Sequence, residues 1–256
     1  MKKTILILLA AIAPAVFAAG GGHPLDRAPK ERFNDVQSLQ RGAQMFVNYC
    51  LACHGLQSMR YNRLKDIGIA DQQVKDNLLF SAEKVGELMT TSMTRKDGKD
   101  WFGAAPPDLS VIARSRGAIG NSGAGADWLY TYLRTFYRDA GRDSGWNNLV
   151  FPNVGMPHVL YELQGEQTAR FVKEKDPHDA AKTVDRFEGF DIVKPGRMNK
   201  LEYDNAMADL VAFLVWVAEP VAAERRTLGI WVLLFLGLIL FPCAWLLNRA
   251  YWKDIH

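Results

Sequence analysis

Apolar residues recur at helical spacing at Val36, Leu39, Ala43, Val47 and Cys50, which predicts a helix with Asn34 or Asp35 as its cap. Met207, Leu210, Val211 and Leu214 form a second such face, predicting a helix from Asn205 to Ala218, capped by Asp204 and stopped at Pro220. The aromatic segment "DWLYTYLRTFYRD" (127–139) predicts a third. Val85, Leu88, Met89 and Met93 share a helical stripe, and "GNSGAGAD" (120–127) reads as a flexible surface loop. The fold class expected is mainly α.

Both ends carry longer apolar runs. Two lysines, an apolar stretch from Ile5, and Val16 and Ala18 at the −3 and −1 positions predict a signal peptide over 1–18, cut after Ala18. Near the other end, Leu228 to Leu247 runs for 20 residues without a charge, enough to cross a hydrocarbon core of about 30 Å. It has no polar stripe, unlike a buried core helix, and Trp231, Trp245, Tyr251 and Trp252 sit near its ends. Pro242 is tolerated within such a span. Basic residues flank both sides, so the predicted signal peptide orients the chain. The body is expected outside and "NRAYWKDIH" in the cytoplasm.

The formal charge of +3 belongs to these ends. From Ala19 to Glu224 there are 25 Lys and Arg against 27 Asp and Glu, a body of −2. That excludes the concentrated basic footprint of a nucleic-acid binder. Residues 162–191 carry eight acids against five bases, either a surface for a basic partner or a solvated face.

Of the three cysteines, Cys243 lies in the apolar span. The other two stand in "YCLACHG", a C-x-x-C-H attachment site for c-type haem at Cys50, Cys53 and His54. On one helical turn two thiols can form thioethers with the porphyrin vinyl groups, and the following histidine is delivered to the iron. A zinc site needs further ligands, and His23, His158, His178 and His256 form no pair with a free cysteine. A thioredoxin-like pair needs a βαβ context, and a disulfide across two residues is strained. The preceding helix and the otherwise cysteine-free body favour haem.

The second axial ligand separates an electron carrier from a gas binder or peroxidatic protein. Met45 and Met59 are too close in sequence to His54 to reach the opposite face easily, and Met89, Met93 and Met207 read as core. Met156, Met198 and His158 remain. Gly155 allows close approach or unusual dihedrals and Pro152 and Pro157 restrict the irregular segment around Met156, which favours it over Met198 in "KPGRMNK" and over His158.

"CLACH", "APPDLS" with Arg114 following, "GMPH", and "VAEP" leading through a basic pair into the apolar span resemble the cytochrome c1 family, in its short proteobacterial form. The resemblance covers nearly the whole mature chain and implies a cytochrome c-like haem domain over 19–222, a transmembrane anchor over 223–248 and a cytoplasmic tail over 249–256. It implies one covalent haem c on Cys50 and Cys53, with His54 and Met156 as axial ligands and Arg114 facing a propionate. A carbonyl of Pro106 or Pro107 would accept the His54 Nδ1 proton. The implied activity is that of the electron-transfer subunit of ubiquinol–cytochrome c reductase. Its electron comes from the Rieske iron–sulfur protein and goes to a cytochrome c, with cytochrome b packed on the anchor. The implied location is the inner membrane, single-pass, with the haem domain in the periplasm. A stand-alone anchored c-type cytochrome is the alternative, and a gas-binding or peroxidatic haem protein a more distant one.

Overall fold

Two helices cross at the centre of the molecule, and the rest is arranged around their contact. The computed structural model describes residues 23–117, 122–175 and 183–253, so the predicted signal peptide, Gly120–Asn121 of the predicted loop, and His178 and His256 lie outside the described residues. The first helix spans Val36–Tyr49, and the side chain of Asp35 caps it by accepting from the Gln37 and Ser38 amides. Its buried face is Leu39, Gly42, Ala43, Phe46 and Val47.

The second spans Lys200–Ala218 and presents Met207, Leu210, Val211, Phe213 and Leu214 to the core. It begins before the position expected from sequence. Asn199 is its cap, in a reciprocal box with Glu202, and Asp204 lies inside the helix bound to Arg134 and Lys200. The first turn is exposed (Leu201 is 70% exposed), so apolar periodicity does not mark it.

At the crossing, Phe46 and Phe213 approach to 5.8 Å between ring centroids. Asp209, 4% exposed, is held there by Arg32 and Arg41, each at 2.6 Å.

The third helix spans Ser122–Arg134, not 127–139. Its start falls in the glycine-rich stretch read as a loop, and its expected end is a strand, Phe136–Arg138, paired antiparallel with Trp146–Asn148. Gly125 has a packing role. A Cβ there would lie 1.9 Å from the Ala113 carbonyl oxygen, so the short helix Ile112–Ser115 can pack only against a bare backbone. Met89 is fully buried as expected, but on a two-residue strand pairing with Leu56–Arg60 instead of a helix. Met207 is also fully buried.

The fold is mainly helical, with one large addition. Gly165–Lys175 pairs antiparallel with Thr183–Pro195 in a long two-stranded ribbon, within the segment that sequence marked only as acid-rich. Phe171 faces Phe187 across it, and Tyr137 packs edge-on to Phe171 at 6.0 Å. Its base is tied to the body where Gln167 donates to the Phe136 carbonyl at 2.7 Å. Glu166, Glu174, Glu188 and Asp191 each have an arginine partner (Arg138, Arg186 and, for the last two, Arg170). Four acids of the described ribbon are therefore paired with arginines of the ribbon or of the adjoining strand, which favours the solvated-face reading of 162–191.

Glu219, Pro220 and Val221 separate the second core helix from Ala222–Trp252, among the described residues the one helix long and apolar enough to cross a membrane. None of its most apolar stretch is buried. It widens into a π-helical turn at Leu236–Leu240, just before Pro242, whose ring nitrogen has no proton to donate to the helix. At its start, the Glu219 carboxylate accepts both Arg114 (3.2 Å) and Arg225 (2.9 Å).

Candidate functional site

Cys50 ends the first core helix, and the chain continues in a tight helix-like turn. The Cys50 carbonyl accepts from the amides of Cys53 at 3.1 Å and His54 at 2.8 Å. Both cysteines are uncommitted to any disulfide. Burial pushes the Cys50 thiol up to about 12 and raises that of Cys53 as well, so both are protonated at neutral pH.

His54 Nδ1 stands 2.7 Å from the carbonyl oxygen of Pro107, not of Pro106. A carbonyl only accepts, so Nδ1 carries the proton and Nε2 keeps the lone pair in the neutral ring. Burial lowers the pKa of His54 against the opposing pull of Pro107 and Asp108, which favours that neutral form. The prolines are set by the residues after them: Leu109 N–H donates to Gly55 O at 2.9 Å, and Asp108 accepts the Gln57 amide at 2.7 Å. Pro106 packs on Gly98, where a Cβ would lie 2.5 Å from its Cδ.

The loop bearing Met156 is shaped by two buried asparagines. Asn148 Oδ1 accepts the amides of Val150 (2.9 Å) and Phe151 (3.1 Å), and Asn147 Oδ1 accepts that of Asn153 (2.8 Å). Asn153 adopts the left-handed conformation, φ 62°. Gly155 passes close to the chain at Phe102, where a Cβ would be 2.9 Å from the carbonyl oxygen. Met156 is half-buried, and its Sδ accepts a hydrogen bond from the Tyr132 hydroxyl at 3.3 Å. Sequence reasoning missed Asn147, Asn148 and Tyr132. Nothing in the primary pattern separated Tyr132 from the other tyrosines of its helix.

His158 is 3% exposed, stacked on Phe136 at 4.9 Å and edge-on to Trp146 at 5.0 Å. Burial drives its pKa down to about 4, partly opposed by Gln164, so the ring is neutral. It is enclosed in the aromatic core. Met198 is half-buried against the core, with its amide donating to Leu163 O at 3.1 Å.

Arg114 pairs with an acid at the anchor's start: its side chain is 56% exposed and bound to Glu219. Arg116, two residues on, stacks over Trp128 (4.5 Å) and Phe151 (5.6 Å), and so lies against the Met156 loop.

Two protonated thiols, an imidazole offering Nε2 and a thioether on a braced loop fit a covalently attached porphyrin iron. Among the described residues no group of three or more His, Cys, Asp or Glu gathers into a cage for a bare metal ion.

The chain is 45% identical over 258 residues to a cytochrome c1 of Allochromatium vinosum, covering 100% of both chains. It is 48% identical over 257 residues to a Nitrosomonas europaea protein named ammonia monooxygenase gamma subunit, covering 99% of this chain and 100% of that one. To a cytochrome c1 of Rhodospirillum rubrum it is 28% identical over 274 residues, covering 97% and 94%. Fold and site together define a class, the haem domains carried on a single membrane anchor. Residues 28–187 and 194–255 match the Cytochrome C1 family, leaving out only part of the ribbon's second strand between its ends. The chain belongs to that family, the electron-carrying haem subunits of the cytochrome bc1 oxidoreductase complex.

Proposed function

We propose that Cys50 and Cys53 attach haem c through thioethers and that His54 and Met156 are its axial ligands. The observation that carries this reading is the His54 Nδ1 to Pro107 contact of 2.7 Å, which leaves Nε2 as the donor nitrogen and fixes the ring's orientation. When bound, the haem supplies a one-electron couple, and a methionine opposite histidine sets it at higher potential. The chain's own residues do the rest. The turn from Cys50 to His54 places the attachment points, Asn147 and Asn148 brace the methionine loop, and aromatic side chains keep water away. Arg114 and Arg116 are the cations for the propionates, with Arg116 favoured by its place beside Phe151.

In the complex, this chain takes electrons from the Rieske iron–sulfur protein and delivers them to a cytochrome c, with cytochrome b packed against the anchor. The haem domain faces the periplasm, the anchor crosses the inner membrane once, and residues 249–256 end in the cytoplasm. That orientation rests on the predicted signal peptide over 1–18.

The test is Met156→Leu in the full chain, followed by absorption spectrum and redox titration. The expected result is loss of the low-spin, high-potential haem; an unchanged spectrum and potential would rule Met156 out. Purification in mild detergent is expected to bring along a b-type haem and a Rieske protein. Purification alone favours a stand-alone anchored carrier.

A further inference from the structure

Tyr132, on the third helix, sits in an aromatic ladder. Its ring stacks on Trp128 at 4.7 Å and 13°, and meets Phe136 edge-on at 5.0 Å. The residue is 8% exposed and held between Trp128, one helical turn back, and Phe136, the first residue of the strand that follows the helix, so the phenol has little freedom to turn. Below it, Asn148 Nδ2 donates to the Tyr132 carbonyl at 2.8 Å, tying the same helical turn to the asparagine that shapes the methionine loop. The hydroxyl makes one hydrogen bond among the described residues, to Met156 Sδ.

A thioether sulfur has two lone pairs. With one directed at a metal, the other remains free to accept a proton donor, and a buried phenol can supply one without a charge. Such a bond draws electron density from sulfur. It weakens donation to ferric iron more than to ferrous iron, which has less need of it, and so favours the reduced state. It also fixes where the sulfur points, because the donor is itself clamped.

We propose that Tyr132 is a positioning residue for the Met156 sulfur: its O–H orients the thioether and draws density from it, raising the potential of the bound couple. This rests on Met156 being an axial ligand. It differs from a packing role in sign. If Tyr132 only packs, its loss loosens the loop and makes the methionine easier to displace. If it polarises the sulfur, its loss makes the ferric iron–sulfur bond stronger.

The experiment uses the holoprotein in its membrane complex, with Tyr132→Phe keeping the ring and removing the hydroxyl. The expected result has three parts. The sulfur-to-iron charge-transfer band of the ferric haem persists. The midpoint potential falls by the equivalent of about threefold in the one-electron equilibrium, about 28 mV at 59 mV per decade. Added imidazole binds the ferric haem more weakly. An unmoved or higher potential, or tighter imidazole binding, overturns the proposal.

Met156→Leu separates the two readings. If the band survives that change, the ligand assignment fails and the Tyr132 role falls with it. If Met156→Leu abolishes the band while Tyr132→Phe leaves the potential unmoved, only the Tyr132 role fails. Should Tyr132→Phe not assemble, a fluorotyrosine placed at 132 offers a stronger donor of nearly the same shape. It is expected to raise the potential, and a fall or no change overturns the proposal.

Discussion

Gly42 lies directly under the backbone of Asp209, so closely that a Cβ on Gly42 would be 2.2 Å from the Asp209 carbonyl oxygen and 2.6 Å from Phe213 Cβ. The two core helices meet through bare backbone at this point. Neither obstacle is the tip of a flexible side chain, so neither can step aside. Gly42→Ala gains about 1 kcal/mol of helix propensity but forces the helices apart at a cost of about 1–3 kcal/mol, and Gly42→Val loses the gain as well. For Gly42→Val a net loss of about 2 kcal/mol is expected, read as a melting temperature lower by about 4–8 °C.

His158 shares the methionine loop, yet its surroundings are aromatic. His158→Phe is expected to keep the stack on Phe136 and to remove a buried Nε2 that has no hydrogen-bond partner among the described residues. The absorption spectrum of the holoprotein should be unchanged. Collapse of the low-spin spectrum would show instead that His158 binds the iron.

Asp204 links the third helix to the C-terminal core helix through Arg134 at 2.6 Å and also accepts Lys200 at 2.8 Å. Burial alone would raise its pKa, but the hydrogen bonds from Arg134 and Lys200 outweigh this and hold it below its ordinary 3.8. A carboxyl depressed in the folded state adds stability above its unfolded pKa and loses it as pH falls through the folded one. Asp204→Asn should therefore reduce stability at neutral pH and flatten the decline below about pH 4. Thermal melts at pH 3 to 7 would read this; an unchanged pH profile would show that the pair contributes nothing.

The anchor leaves the haem domain's core intact, since none of its most apolar stretch is buried. Ending the chain at Val221 is expected to move the domain from the membrane to the soluble fraction, with its haem spectrum retained. Fractionation after expression checks this, and a truncated domain still on the membrane would require a second attachment.

What could be read from the sequence, and what could not, divides along physical lines. The helix before Cys50 and the apolar anchor were legible because each pairs a long periodic or continuous apolar pattern with its end signals. The C-terminal core helix was legible in its middle and not at its start, where Leu201 faces solvent and the cap belongs to Asn199. The stretch before Asp127 looked like a loop because it is rich in glycine, and Gly125 is needed where the helix meets the chain at Ala113, a constraint set by another segment. The ribbon escaped because Phe171 and Phe187 alternate with charges that pair across strands, so neither face carries a continuous apolar row. At the site, the side chains expected to touch iron were readable from chemistry and spacing. Tyr132, Asn147 and Asn148 were not, because their importance comes only from what the fold sets beside them. Arg114 and Arg116 are two residues apart, and only the structure shows which lies against the methionine loop.

The junction at Glu219, Pro220 and Val221 has a mechanical consequence. Three residues span at most about 11 Å when fully extended, one of them is a proline, and Glu219 draws arginines from both sides into one cluster. The exposed ion pairs add little stability by themselves, so stiffness comes chiefly from shortness. The helix leading into this junction is the one clamped at Gly42 to the helix that ends in Cys50. The Cys50–His54 turn is thus mounted on a post with a short neck, and its distance from the start of the anchor is set to within the length of that neck. Under the proposed function, any carrier that shuttles to and from it must do the travelling itself.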